Sequence, residues 1–152
     1  METWATDIGN AYLESYTKEK VYIIAGKEFG DREGHILVVS KALYGLRGSA
    51  KAWSERLSDA LRDMGWVPTK SEPDLWMRKS KIGDHYEYLA VYVDDLAFAV
   101  DDPKQLIADL KDPNTFNFKL KGSGPITFHL GMDFYREETG VLCLTQTTSR
   151  RW

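Results

Sequence analysis

The sequence has little that is typical of a secreted or membrane protein. Its 152 residues include one cysteine, Cys143, so an internal disulfide cannot form and a disulfide-stapled scaffold is excluded. The first ten residues lack the basic and apolar regions of a signal peptide, and no apolar run approaches the length that spans a membrane. We therefore expect a soluble intracellular protein with no membrane partner.

A basic excess is also missing. Lys and Arg number 20 against 23 Asp and Glu, which gives a formal net charge of −3. Because nucleic-acid-binding domains usually carry a positive excess, a nucleic-acid role needs a local basic patch or basic segments elsewhere. Apolar residues are plentiful, with 43% hydrophobic and 12% aromatic residues. This composition predicts one compact domain over residues 1–152 with a substantial core.

Hydrophobic patterning predicts a β-α-β-β-α-β order. The elements are a strand ending at Asp7, a helix from Ser49 to Gly65, two strands meeting at Asp94 and Asp95, a helix from Pro103, and a strand near Phe116. This order is that of the ferredoxin-like plan, an α+β fold with an antiparallel sheet and helices on one face. Ser49 and Asp102 are the expected helix caps. In this plan the first strand lies beside the central hairpin, which brings Asp7 to the Asp94–Asp95 turn.

Two adjacent carboxylates interrupt the apolar stretch YLAVYVDDLAFAV, residues 88–100. A buried carboxylate without a partner costs several kcal/mol, and two neighbours repel each other. Three convergent carboxylates suit hard divalent ions such as Mg²⁺. Two such ions about 3.5–4 Å apart can activate a hydroxyl and stabilise a leaving phosphate oxygen. From the hairpin alone, an ordinary Asp-Asp turn is the simpler interpretation.

Four ordered motifs resemble those of reverse transcriptases. YVDD (92–95) between apolar flanks is similar to the signature turn of that family, and TDIGNAYLE (6–14) to its first aspartate motif. KALYGLRGSAKAW (41–53) resembles the L-Y-G-L-K motif of copia-type elements, and FHLGMDFYREETGVLCLTQ (128–146) resembles the F-L-G hairpin called the primer grip. Together they cover nearly the whole chain, which is thus similar to the reverse transcriptase domain of a copia-type LTR retrotransposon polyprotein.

The resemblance implies an RNA-directed DNA polymerase whose palm sheet carries three catalytic carboxylates. Asp7 and Asp94 would ligate two Mg²⁺ ions, for which Mn²⁺ could substitute, and Asp95 would assist with one. The backbone carbonyl of Ile8 would complete a metal site. The primer 3′-hydroxyl would attack the α-phosphate of a deoxynucleoside triphosphate, and pyrophosphate would leave. Lys121 is a candidate general acid for that pyrophosphate.

The resemblance also implies which residues bind ligands. Tyr12 would be the steric gate that rejects the ribonucleotide 2′-hydroxyl, with a core aromatic as the alternative. The other nucleotide-binding residues would be Asn10, Ala11, Tyr44, Gly45 and Arg47. Template and primer would contact Tyr92, Val93, Gly48, Ser49, Lys51, His129, Leu130 and Gly131. A solvated loop and helix start is an equally simple interpretation of Arg47 and Lys51, and a strand histidine such as His129 is more often structural.

A palm-centred fragment is the organisation that the resemblance implies. Residues 9–48 would be a partial fingers insertion with the nucleotide pocket, and residues 126–146 the primer-grip hairpin. The N-terminal fingers, the thumb and the RNase H domain would be absent. Partners would be a primed RNA or DNA template, deoxynucleoside triphosphates and the remainder of the polyprotein.

Two further classes of function stand beside this expectation. The chain could be a non-catalytic retroelement remnant or a nucleic-acid-binding module, and weak or no polymerase activity is expected of it alone. Another ferredoxin-like enzyme such as a nucleotide cyclase is disfavoured by the L-Y-G-L and F-H-L-G segments. If the chain belongs to an active element, we expect it in a cytoplasmic virus-like particle or in the nucleus.

Overall fold

The structure is a computed structural model that describes residues 1–146. It is a mixed α+β fold, as the sequence pattern predicts. The chain divides into two compact units. The first unit contains Met1–Gly9 together with the chain from Trp66 onward, and the second contains Asn10–Gly65.

Strands predominate among the described residues. They are β1 (Glu2–Ile8), β2 (Tyr16–Ile24), β3 (Ile36–Lys41), β4 (Val67–Pro68), β5 (Leu75–Lys79), β6 (Tyr86–Tyr92), β7 (Asp95–Val100), β8 (Leu120–Pro125), β9 (Phe128–His129), β10 (Met132–Arg136) and β11 (Leu142–Gln146). The α-helices are α1 (Ser49–Asp63) and α2 (Pro103–Lys111), and 3₁₀ helices lie at Ala11–Glu14 and Lys27–Arg32.

The first unit is built on a six-stranded antiparallel sheet with the order β4-β5-β6-β7-β1-β8. The predicted position of the first strand beside the central hairpin is therefore confirmed. Along β7 the residues alternate, with Leu96, Phe98 and Val100 fully or almost fully buried. Burying each such side chain stabilises the fold by about 1.5–3 kcal/mol, so this face of β7 anchors the hairpin in the core.

Helix α2 packs against β1, β7 and β8. Asp102 accepts a hydrogen bond from the Gln105 N–H at 2.9 Å, and Pro103 occupies the first turn, as predicted. Leu106 and Leu110 are buried on its apolar face. In the part of the chain that the structure describes, no helix is long and apolar enough to cross a membrane.

The predicted strand near Phe116 is wrong by several residues, since β8 begins only at Leu120. The preceding segment instead folds back on the end of α2, where the Phe118 N–H donates to the Leu110 carbonyl at 2.9 Å. Phe118 is buried there. The glycine-rich stretch that follows belongs to β8, and Gly122 adopts a left-handed φ of 58° within this strand.

In the second unit, β2 and β3 form a two-stranded antiparallel ribbon, and α1 follows it in sequence. The prediction that Ser49 caps α1 is wrong. Gly48 is the N-cap, and the Ser49 hydroxyl accepts a hydrogen bond from the Leu43 N–H at 3.0 Å. Helix α1 stops near Gly65 as predicted, because that glycine has a φ of 82° and cannot continue the helix.

A three-stranded sheet with the order β11-β10-β9 closes the described chain. The predicted hairpin is its β10–β11 part, where the Glu137 N–H donates to the Val141 carbonyl at 2.9 Å across the turn. Strand β9 adds a short third strand, in which His129 lies opposite Met132. This pairing was not predicted, because β9 has only two residues and no alternating pattern.

Candidate functional site

The β6–β7 hairpin ends in a two-residue turn made of Val93 and Asp94. Tyr92 and Asp95 face each other as the last pair of the ladder. Val93 has a φ of 57°, a left-handed conformation that is strained for a β-branched residue. The Ile8 N–H donates to the Asp94 carbonyl at 2.8 Å, so the backbone ties the turn to the end of β1.

A row of side chains crosses four strands at this edge of the sheet. Its members, in strand order, are Tyr92, Asp95, Asp7 and Lys121. Directly opposed residues of antiparallel strands share one face, with Cβ atoms about 4.5–5.5 Å apart. The strand pairing thus confirms the expectation that the backbone of Asp7 lies beside the hairpin turn. Lys121, at the far end of the row, is exposed to solvent.

Negative charge accumulates at Asp7. Burial raises the pKa of its carboxyl above the ordinary value, and the charges of Asp94 and Asp95 raise this pKa further. The positive charge of Lys121 acts in the opposite direction. Within residues 1–146, no three His, Cys, Asp or Glu side chains are grouped so as to hold a metal ion. The strand pairing therefore places the three acids near one another. Their joint coordination of a metal ion, together with the backbone carbonyl of buried Ile8, stays a prediction.

In the second unit, two of the predicted nucleotide-binding residues are in contact. The rings of Tyr12 and Tyr44 lie with their centroids 4.3 Å apart and their planes tilted by 41°. Asn10, with a φ of 57°, starts the 3₁₀ turn that carries Tyr12, and Ala11 is fully buried beneath it. Gly45 follows Tyr44 with a φ of 90°, which explains the glycine in this loop.

The loop before α1 is organised by residues that the motif alone does not reveal. The Gly48 N–H donates to Glu19 Oε1 at 2.6 Å, and a side chain at Gly48 would collide with that carboxylate. Lys51 lies 3.9 Å from Glu55 on the helix surface. Ser49 is buried with its hydroxyl already bonded, whereas Arg47 is exposed. Glu19 was missed because it lies in a distant strand.

The predicted primer-grip residues lie in and beside the β9–β10 turn. Leu130 and Gly131 form this turn, both with left-handed φ values of 48° and 78°. Leu130 is exposed and His129 is half-buried. Leu130 is therefore exposed at the tip of this turn, in a left-handed backbone conformation that is unfavourable for leucine.

Comparison with known proteins decides the family. Residues 2–150 match the family described as reverse transcriptase (RNA-dependent DNA polymerase). The chain belongs to this reverse transcriptase family. The match covers nearly the whole sequence, and it confirms the resemblance that the four motifs indicate.

Relatives of this reverse transcriptase domain are transposon proteins. It is 30% identical over 137 residues to the retrovirus-related Pol polyprotein from transposon RE1 of Arabidopsis thaliana, and 28% identical over 141 residues to that from transposon TNT 1-94 of Nicotiana tabacum. A putative transposon Ty5-1 protein of Saccharomyces cerevisiae is 26% identical over 141 residues. The matches cover 89–91% of this chain but only 9%, 10% and 45% of these proteins.

The reverse transcriptase domain also has a polar network at the opposite end of β7. Asp101 precedes the helix cap Asp102, and its carboxylate accepts hydrogen bonds from Ser80 Oγ at 2.6 Å and from His85 Nε2 at 2.9 Å. The hydrogen bond from Ser80 is the main reason that the pKa of Asp101 lies below its ordinary value. The Asp101 N–H donates to buried Glu87, which pairs with Arg78 at 2.6 Å. The sequence signal that could have revealed this polar network is Glu87, a charged residue at a buried position of β6.

Proposed function

We propose that the chain is the palm part of an RNA-directed DNA polymerase, which extends a primer on an RNA or DNA template. The row of Asp95, Asp7 and Lys121 beside the Asp94 turn is the observation that carries this proposal. The strand order β6-β7-β1-β8, with α2 on the sheet, agrees with the ferredoxin-like palm. Residues 9–48 and 126–146 then supply the partial fingers and the primer grip.

Divalent cations fit the chemistry of this edge. Oxygen ligands from adjacent carboxylates suit Mg²⁺ or Mn²⁺, and a cation offsets the burial and the repulsion by Asp94 and Asp95 that raise the pKa of Asp7. We assign both ions to Asp7 and Asp94, with Asp95 and the Ile8 carbonyl completing the set. The carboxylates must turn toward one another to do so, since the described residues hold no preformed cage. When bound, the ions supply activation of the 3′-hydroxyl and charge neutralisation at the phosphate.

Tyr12 is proposed as the residue that selects deoxynucleotides. Its ring contacts that of Tyr44, with the centroids 4.3 Å apart, and this contact supports one position of the Tyr12 ring. A fixed ring beneath the sugar excludes the 2′-hydroxyl by steric overlap. Asn10, Ala11, Gly45 and Arg47 surround these two tyrosines in sequence and are the other proposed nucleotide contacts.

Primer and template are the proposed partners of the exposed turns. Tyr92 precedes the acidic turn and Val93 belongs to it, and the tip of the β9–β10 turn offers backbone groups beside exposed Leu130. Contacts to template phosphate are assigned to Gly48 and Lys51. Ser49 serves indirectly, by holding the loop at Leu43. Deoxynucleoside triphosphates and the rest of the polyprotein complete the list of partners.

Metal binding is the most direct test. Titration calorimetry with Mn²⁺ is expected to show binding by the unmodified chain and a large loss in Asp7→Asn. Asp84→Asn, which changes an exposed loop carboxylate, is the matched control and should bind like the unmodified chain. Equal binding by the unmodified chain and Asp7→Asn would show that the three carboxylates do not form one site.

Primer extension tests the polymerase activity itself. Because the chain spans about a tenth of the Arabidopsis and tobacco polyproteins, we expect weak or no extension of oligo(dT) on poly(rA) by the isolated chain. Robust extension that Asp94→Asn abolishes would establish the polymerase activity and contradict the need for the rest of the polyprotein. Tight template binding without any metal binding would favour the nucleic-acid-binding module instead.

A further inference from the structure

The β1–β8 ladder contains a bulge next to the acidic row. Ala5 pairs with Gly124 and Asp7 pairs with Lys121, so two steps along β1 correspond to three along β8. Gly122, inside this interval, has a φ of 58°, the left-handed conformation of a glycine bulge. An extra residue has therefore been accommodated in β8.

The bulge decides which side chain stands opposite Asp7. A regular ladder continued from the Ala5–Gly124 pair would place Gly122 opposite Asp7. A one-residue slip turns every following side chain to the other face of a sheet. With the bulge, Lys121 instead shares the face and the row of Asp7.

Two further contacts hold Lys121 in this position. Thr6 is 3% exposed, and its hydroxyl donates to the Lys121 carbonyl at 3.1 Å and is bonded to the Ser123 hydroxyl at 2.7 Å. The aliphatic stem of Lys121 lies over Gly9, where an added Cβ would stand 2.7 Å from Lys121 Cε. The backbone and the stem of this lysine are thus both constrained.

We propose that Lys121 is the built-in counter-ion of the Asp7–Asp94–Asp95 cluster and that it competes there with divalent cations. The proposal rests on the metal site assigned above. No salt bridge joins Lys121 to an acid of the cluster in residues 1–146, so the ammonium acts on the acids from more than 4 Å away.

A double-mutant cycle in metal-free buffer with EDTA tests the counter-ion role without any metal. Lys121→Met keeps the stem and removes the charge. We expect it to lower the melting temperature by about 2 °C, a shift that corresponds to a modest exposed charge pair in a domain of this size. In the Asp7→Asn background the shift should be clearly smaller, because one of the three acids, the one opposite Lys121, has lost its charge. An equal shift in both backgrounds would overturn the proposal.

Gly9→Ala tests the positioning by sterics alone. The new methyl group would push the end of Lys121 aside, so the coupling between Lys121 and Asp7 should fall in this variant. Gly124→Ala is the matched control on the partner strand, because an added Cβ there meets nothing within 4 Å. Coupling that survives Gly9→Ala, or that falls equally in Gly124→Ala, would refute the role of Gly9.

Mn²⁺ titration provides the second arm. Lys121→Met is expected to bind Mn²⁺ about three- to tenfold more tightly, the effect of removing one charge near a divalent ion in a water-like dielectric. Lys104→Met, which removes a lysine from α2 beyond the far end of β7, should stay within about twofold of the unmodified chain. Unchanged affinity in Lys121→Met would refute the competition. No Mn²⁺ binding by the unmodified chain would refute the metal site, and the metal-free cycle would then decide the counter-ion role alone.

Discussion

Val93 offers a direct test of the strained turn that holds the acidic pair. Its φ of 57° is left-handed, whereas Val91, two residues earlier in β6, has ordinary strand backbone. Both valines are only partly buried, and Val93 is 45% exposed. Replacing each valine by alanine and by glycine separates backbone strain from loss of apolar contacts, because both substitutions remove the same branched methyl groups.

The magnitude follows from two opposing contributions. A left-handed conformation costs a residue with a Cβ about 1–2 kcal/mol, and glycine is free of this cost. Glycine loses about 0.5–1 kcal/mol relative to alanine through the entropy of the unfolded chain. Val93→Gly should therefore be more stable than Val93→Ala by about 0.5–1 kcal/mol. At Val91 the strain is absent, and Val91→Gly should be less stable than Val91→Ala by a similar amount.

Urea unfolding followed by fluorescence measures all four variants, provided that the slopes of the transitions agree. The expected result is a change of sign between the two positions. If Val93→Gly is less stable than Val93→Ala, the turn does not store strain, and the reasoning is refuted. A confirmed sign change would show that folding energy is used to hold Asp94 at the end of β1.

Three other measurements address the rest of the molecule. Glu87→Ala should destabilise the fold by about 3–5 kcal/mol in urea, because it removes a nearly buried carboxylate that pairs with Arg78 and accepts a hydrogen bond from the Asp101 N–H; a loss below about 1 kcal/mol would contradict the importance of the pair. The raised pKa of Asp7 means that its contribution to stability is present below the ordinary carboxyl pKa and is lost as pH rises through the folded-state value. Asp7→Asn should consequently melt at a higher temperature than the unmodified chain at pH 7 without metal, and an unchanged or lower melting temperature would argue against the repulsion. Asp102→Ala should lower the free energy of unfolding in urea by about 1 kcal/mol, because it removes the capping hydrogen bond to the Gln105 N–H. An unchanged free energy of unfolding would contradict the role of this cap.

Local patterns accounted for much of the fold. Apolar residues at spacings of three and four residues predicted α1. Asp102 and Pro103 predicted the start of α2. Both signals are local, because a helix is stabilised by contacts between near neighbours in the sequence. The apolar stretches on either side of Asp94 located the hairpin for the same reason. Errors arose where a residue found a partner outside its expected element: the Ser49 hydroxyl bonds Leu43 instead of its own helix, and the Phe118 N–H bonds the end of α2 instead of continuing into a strand.

In the candidate site, too, local motifs identified some residues but did not reveal their contacts. The residues of the acidic cluster could be named from their motifs, and the family assignment agrees with those motifs. The contacts of Glu19 with Gly48 and of Glu87 with Asp101 could not be foreseen, because each joins residues that have no shared local pattern.

By itself, the sequence determined which chemical groups this chain carries and the hairpin that presents Asp94 and Asp95, because turn chemistry and strand alternation act over a few residues. The order of the elements already predicted Asp7 beside the hairpin turn, but only the tertiary structure decided that Lys121 shares its row. Strand pairing between segments that are far apart in the sequence depends on long-range hydrogen bonds and on packing of the whole sheet. A single left-handed glycine, Gly122, then sets which face of β8 meets the acids, and no local pattern of apolar residues encodes that choice.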